Sequence, residues 1–171
     1  IDNLPMHERI IFPNMSTEIG AKCGLIAADE VTIQYLENET PANGPFEMIQ
    51  PVNPRYERLL EIDVSTLSPQ VSCHPDVDNV KPLSQVEGLE VNEVYIGTCT
   101  NARYEDIEIV ANMLKGKKVN PITRVIVTPA SERIYKKAMK NGLIEILMDA
   151  GCTVTGTGCG ACIGRHGGIL A

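Results

Sequence analysis

The chain has 171 residues, a net charge of −7, 43% hydrophobic residues and 4% aromatic ones, with no Trp. That length allows one sizeable core or two small ones, built on Ile, Val and Leu. The acidic balance argues against non-specific nucleic-acid binding, and no apolar run is long enough for a membrane span. No signal peptide is visible, and six cysteines at this length are too few for a secreted disulfide scaffold. A reducing cytoplasm is the expected setting. The default reading of Cys23, Cys73 and Cys152 there is small buried apolar residues. The chain opens on Ile1 rather than Met and stops at Ala171, shortly after a cysteine-rich loop, so a fragment of a longer polypeptide is expected.

The N-terminal part is mixed. A short helical stretch is predicted near residues 17–23, interrupted by Gly20. Asp29 or Glu30 starts a second helix through about Leu36, and the Pro-, Asn- and Gly-rich run over 38–54 reads as loop. Residues 59–64 and 70–73 are candidates for a strand pair, and residues 74–86 for a connector. A soft boundary near residue 80 divides the chain into 1–80 and 81–171.

The second part alternates. Residues 91–96 read as a buried strand ending at Gly97. Residues 104–114 read as a helix, with Ile107, Val110, Ala111 and Leu114 on one face. Thr100 or Asn101 could cap it, and Gly116 stops it. Arg124 to Thr128 is a second strand. Ser131 caps a helix to about Lys140, Asn141-Gly142 breaks it, and a short helix follows from Leu143 to Ala150. Residues 152–155 form a third strand. This order implies a parallel sheet flanked by helices.

Three cysteines stand out on that frame. Cys99 lies just past the first strand, in Gly97-Thr98-Cys99-Thr100-Asn101. Cys159 and Cys162 lie past the third, in Gly158-Cys159-Gly160-Ala161-Cys162-Ile163-Gly164. Ligands of open α/β sheets bind at the carboxyl ends of the strands, so the topology brings both segments to one rim. Three thiolates leave a fourth metal position open, which suits chemistry better than scaffolding. The spacing alone leaves several readings: an iron–sulfur cluster, a zinc site completed by His166, a redox pair of Cys159 and Cys162, or unrelated thiols. The surrounding glycines favour the cluster, whose sulfides need backbone N–H groups at close range.

The segments Gly97–Asp106 and Gly158–Gly164 resemble the two cluster-ligand motifs of the aconitase superfamily. Asn14-Met15-Ser16-Thr17-Glu18-Ile19-Gly20-Ala21 is similar to that family's active-site segment. Within the superfamily the isopropylmalate-isomerase branch is most alike, followed by the homoaconitases. The resemblance runs over 6–171. It implies a three-layer αβα fold with a mainly parallel sheet, and a hydro-lyase acting on a malate-type hydroxy acid. It implies a [4Fe-4S] cluster held by Cys99, Cys159 and Cys162, with a fourth iron free for Lewis-acid catalysis. Glu18 corresponds to the family's active-site glutamate and Asn14 to an asparagine of the cluster environment. Asn101 is either a donor to cluster sulfur or substrate, or a helix cap. Arg103 and Arg165 read as solvated. The resemblance further implies a separate small subunit that carries the swivelling domain, the catalytic serine and the substrate-selecting loop.

Overall fold

The computed structural model describes residues 1–40 and 45–163. Its elements in chain order are α1 (Met6–Arg9), α2 (Ile11–Asn14), a 3-10 turn at Met15–Thr17, α3 (Glu30–Glu39), β1 (Gln70–Ser72), β2 (Val80–Pro82), α4 (Leu83–Val86), β3 (Glu93–Gly97), α5 (Tyr104–Leu114), β4 (Arg124–Thr128), α6 (Glu132–Lys140), α7 (Leu143–Ala150), β5 (Thr153–Val154) and a 3-10 turn at Gly160–Ile163. The chain forms two compact units. One comprises Ile1–Ile26 and Val91–Ala171, the other Ala27–Glu90. The expected boundary near residue 80 falls inside the second of these. Among the described residues no helix is long and apolar enough to cross a membrane.

The first unit is built on a parallel sheet in the order β3-β4-β5. Both crossovers step in the same direction, so right-handed connections put α5, α6 and α7 on one face. Their apolar positions recur at helical spacing: Ile107 and Ala111, Ile134 and Ala138, Leu143, Leu147 and Ala150. They close over Val125 and Val127 of β4 to form the core, with Val94 and Ile96 of β3 packed alongside. Glu93 and Arg124, paired in register, are joined by an ion pair.

The helix ends explain the bounds. The Ser131 hydroxyl accepts from the Ile134 N–H at 3.3 Å and starts α6. Gly142 and Gly151, at φ 73° and 100°, bracket α7 in the left-handed conformation that glycine tolerates. The start of α5 departs from expectation. Ala102 has φ 52°, which keeps the chain out of the helix until Tyr104. Neither Thr100 nor Asn101 caps it. Asp106 reaches back instead, its Oδ2 accepting from the Arg103 N–H at 3.0 Å.

Helix also sits elsewhere in the N-terminal segment than expected. It occupies residues 6–9 and 11–17, and residues 18–23 hold no helix. Gly20 at φ 78° reverses the chain, with its N–H donating to the Thr17 carbonyl at 3.0 Å and that of Ala21 to Ser16 at 3.0 Å. Arg9, buried, donates to the carbonyls of Leu4 and Asp2 and ties the start of the chain to α1.

In the second unit Asp29 caps α3, its carboxylate accepting from the Thr32 N–H at 3.0 Å. The expected pairing of residues 59–64 with 70–73 does not form. β1 pairs antiparallel with β2, closed by a turn in which the Cys73 N–H donates to Asn79 and the Asn79 side chain to His74. The Asn79 amide thus spans the turn to its His74 end. Leu59, Leu60, Ile62 and Val64 are exposed and irregular.

Candidate functional site

Strand alternation sorts the sheet into two faces. Val94, Ile96, Val125 and Val127 face the helices. Tyr95, Gly97, Ile126 and Thr128 share the opposite face by register, with Tyr95 beside Ile126 and Gly97 beside Thr128. The carboxyl end of that face carries a row of hydroxyls. The Thr128 and Thr155 Oγ1 atoms lie 2.6 Å apart, and the Tyr95 hydroxyl donates to the Cys159 carbonyl at 3.4 Å.

The Cys159–Cys162 turn rests on this row. The Cys162 N–H donates to the Cys159 carbonyl at 3.2 Å. Gly160 is left-handed at φ 54°, and a Cβ built there would collide with the Tyr95 hydroxyl and lie 3.3 Å from Thr128 Oγ1. Both its backbone angle and its surroundings demand glycine. Gly158, at φ 147°, precedes it. Gly97 is as tightly enclosed, since a Cβ there would lie 2.7 Å from the Thr128 carbonyl oxygen.

Cys99 sits in the turn between β3 and α5. Two non-glycine residues in that turn are left-handed, Thr98 at φ 78° and Ala102 at φ 52°. Such angles are uncommon, and for a β-branched residue a true outlier, so neighbours must hold them. The Thr98 N–H donates to the Thr128 carbonyl at 3.4 Å, and the Ala130 N–H to the Ala102 carbonyl at 3.1 Å. The Cys99 carbonyl accepts twice: from Asn14 Nδ2 at 2.8 Å and from Arg103 Nη2 at 2.6 Å. Arg103, half-buried, therefore folds back onto the turn, and its Nε is buried with no hydrogen-bond partner among the described residues.

Asn14 is thus brought to Cys99. Glu18, four residues on, ends the 3-10 turn with an exposed side chain, and Thr17 Oγ1 donates to its Oε2 at 3.2 Å. Asn101 is exposed. Arg165 and His166 lie outside the described residues. Cys99, Cys159 and Cys162 are all free and exposed, while Cys152 is buried, Cys73 half-buried and Cys23 exposed. The buried-apolar reading thus holds for Cys152 alone. Burial pushes the Cys152 thiol up from its ordinary pKa.

The chemistry of the donor set suits a thiophilic metal group: three unpaired thiols, reachable from solvent, at the rim of a parallel sheet. Gly160 adds a cradle that a Cβ would fill. Among the described residues the thiols are not gathered into one metal-binding group. Tyr95, Thr128 and Thr155 were not visible as site residues in the sequence; only strand register puts their hydroxyls side by side.

The two cysteine segments at the carboxyl rim of a parallel α/β sheet define the class. The chain belongs to the aconitase family: the sequence model described as Aconitase family (aconitate hydratase) matches residues 1–171. It is 47% identical over 171 residues to the 3-isopropylmalate dehydratase large subunit of Elusimicrobium minutum, covering 99% of this chain and 41% of that protein. It is 46% identical, with the same coverage, to the 3-isopropylmalate dehydratase large subunit 2 of Archaeoglobus fulgidus. A Methanosarcina mazei protein named "Probable methanogen homoaconitase large subunit" is 44% identical, over 99% of this chain and 43% of its own length. The chain spans about two fifths of the length of these relatives.

Proposed function

We propose that this chain is the cluster-holding part of a hydro-lyase large subunit that interconverts 2-isopropylmalate and 3-isopropylmalate in leucine biosynthesis. The observation that carries the reading is the Cys99 turn. A cysteine at the carboxyl end of β3 has its carbonyl fixed by two side chains, in a turn where Thr98 and Ala102 are held in the left-handed region. Strain retained in the turn that carries this cysteine points to function rather than packing. The names of the relatives support the substrate, and the homoaconitase relative at 44% makes homocitrate-type substrates the second reading.

In this reading Cys99, Cys159 and Cys162 hold a [4Fe-4S] cluster. Such a cluster, with one iron free of protein ligands, supplies Lewis-acid polarisation of the substrate C–OH bond. Asn14 orients the Cys99 turn. Glu18, solvent-accessible and oriented by Thr17, handles a proton at its carboxylate. Tyr95 and Thr128 support the Cys159–Cys162 turn. The substrate-selecting groups and a catalytic base belong to a separate small subunit.

The test begins with anaerobic iron and sulfide reconstitution of the full-length protein. About four irons per chain and a broad visible absorbance are expected. Cys99→Ala should lose both, and retention of a complete cluster would sink the assignment. One zinc per chain with no colour would favour a structural metal site instead. With its small subunit, the loaded protein should turn over isopropylmalate in preference to homocitrate.

A further inference from the structure

We infer that Arg103 is a positioning residue for Cys99, acting with Asn14 as a two-sided clamp on the Cys99 carbonyl. The inference rests on the reading that Cys99 is a cluster ligand. A carbonyl oxygen has two lone pairs, and here both are taken by side chains from different parts of the chain. Arg103 Nη2 approaches from the start of α5 at 2.6 Å, and Asn14 Nδ2 from the end of α2 at 2.8 Å. The Arg103 bond is charge-assisted and correspondingly strong.

The clamp sits where the backbone needs it. Thr98 and Ala102 flank Cys99 at φ 78° and 52°. Their own backbone bonds go to Thr128, the last residue of β4, and to Ala130 just beyond it, and pin the two ends of the turn. Nothing in those bonds fixes the peptide of Cys99 itself. The clamp does, and with it the direction in which the Cys99 side chain leaves the backbone. Arg103 Nε has no acceptor among the described residues, and the hydrogen bond the guanidinium makes goes to the Cys99 carbonyl. The capping of α5 depends on the Arg103 main chain and Asp106, so removing the side chain leaves the helix start intact.

The experiment compares Arg103→Ala, Arg103→Lys and Asn14→Ala in the full-length protein after anaerobic reconstitution. The readouts are iron per chain, the visible spectrum, the rate of cluster loss in air, and hydrogen exchange of the 98–103 backbone in the metal-free protein. Groups that orient a metal ligand typically change metal retention 10- to 100-fold. Arg103→Ala is therefore expected to lose the cluster about tenfold faster and to exchange the Cys99 turn faster even without metal. Arg103→Lys, which keeps one donor, should recover part of both effects. Wild-type cluster loss and wild-type exchange in Arg103→Ala would overturn the clamp. A complete cluster in Cys99→Ala would instead overturn the ligand assignment beneath it. Should Arg103→Ala fail to fold, Arg103→Lys decides: cluster loss and exchange of the Cys99 turn both faster than in wild type support the clamp, and wild-type values of either overturn it.

Discussion

The Asn14 side chain donates to the Cys99 carbonyl at 2.8 Å across 85 residues of sequence. This bond joins the N-terminal segment to the turn that follows β3. Replacing Asn14 by Ala removes one hydrogen bond, an expected loss of about 0.5–1.5 kcal/mol. Asn14→Asp is nearly isosteric but sets a carboxylate oxygen against a carbonyl oxygen. It should therefore cost more than the alanine change. Urea midpoints of the two variants, measured side by side at neutral pH, check the order; equal midpoints would mean the amide donates to nothing that matters.

The Gly160 position gives a second, independent prediction. Gly160→Ala forces a left-handed alanine, costing about 1–2 kcal/mol, and drives its Cβ into the Tyr95 hydroxyl. Tyr95→Phe removes that oxygen. In a double-mutant cycle the Ala change should be milder in the Phe background than in the wild type, because the steric part is relieved and only the backbone part remains. Additive effects would show that the Cys159–Cys162 turn does not rest on Tyr95. Iron uptake should follow the same order as stability.

Much of the sheet and its helices was legible in the sequence because local and tertiary signals agree there. β4 spans Arg124–Thr128, α6 ends at Lys140 and α7 runs Leu143–Ala150, as the apolar spacing, Ser131 and the two bracketing glycines require. The family, too, was legible, in three short motifs. What was not legible depends on pairs distant in the chain. Arg103 reads as a solvated residue beside a helix start until the Cys99 carbonyl is seen in its path. The hydroxyl row of Tyr95, Thr128 and Thr155 exists only through register. Residues 59–64 alternate as a strand should, yet β1 pairs with β2 across a turn held by the hydrogen bonds of Asn79.

Cys152 sets a pH dependence whose sign follows from burial. Its thiol holds its proton more tightly folded than unfolded. The stability tied to that proton is fully present below the unfolded thiol pKa, about 8.5, and is lost as the pH rises through the higher folded value. Cys152→Ala has no such proton. Wild type should therefore lose stability relative to Cys152→Ala on going from neutral to alkaline pH, with no divergence on the acid side. Paired urea titrations across that range check it. In the metal-free protein at neutral pH, iodoacetamide should modify Cys23, Cys99, Cys159 and Cys162 well before Cys152, read by peptide mass spectrometry.

Gly97 separates steric demand from backbone demand at the site. It lies on β3 at ordinary strand angles, so an alanine there meets no penalty from φ. Its Cβ would stand 2.7 Å from the Thr128 carbonyl oxygen and 2.9 Å from the Thr128 Cβ. A backbone oxygen inside a paired sheet cannot swing aside, so β3 and β4 must part at the place where Cys99 begins its turn. Overpacking of this kind costs about 1–3 kcal/mol. Gly156→Ala is the matched control, because a Cβ there meets nothing within 4 Å. For a chain of this size each kcal/mol shifts the melting temperature by about 2–4 °C, so Gly97→Ala should melt several degrees lower while Gly156→Ala stays near the wild type. Iron uptake should fall in Gly97→Ala alone, and faster hydrogen exchange should be confined to the ends of β3 and β4. A Gly97→Ala variant that melts with the control would mean that the strands close around Cys99 less tightly than the register of Gly97 and Thr128 requires.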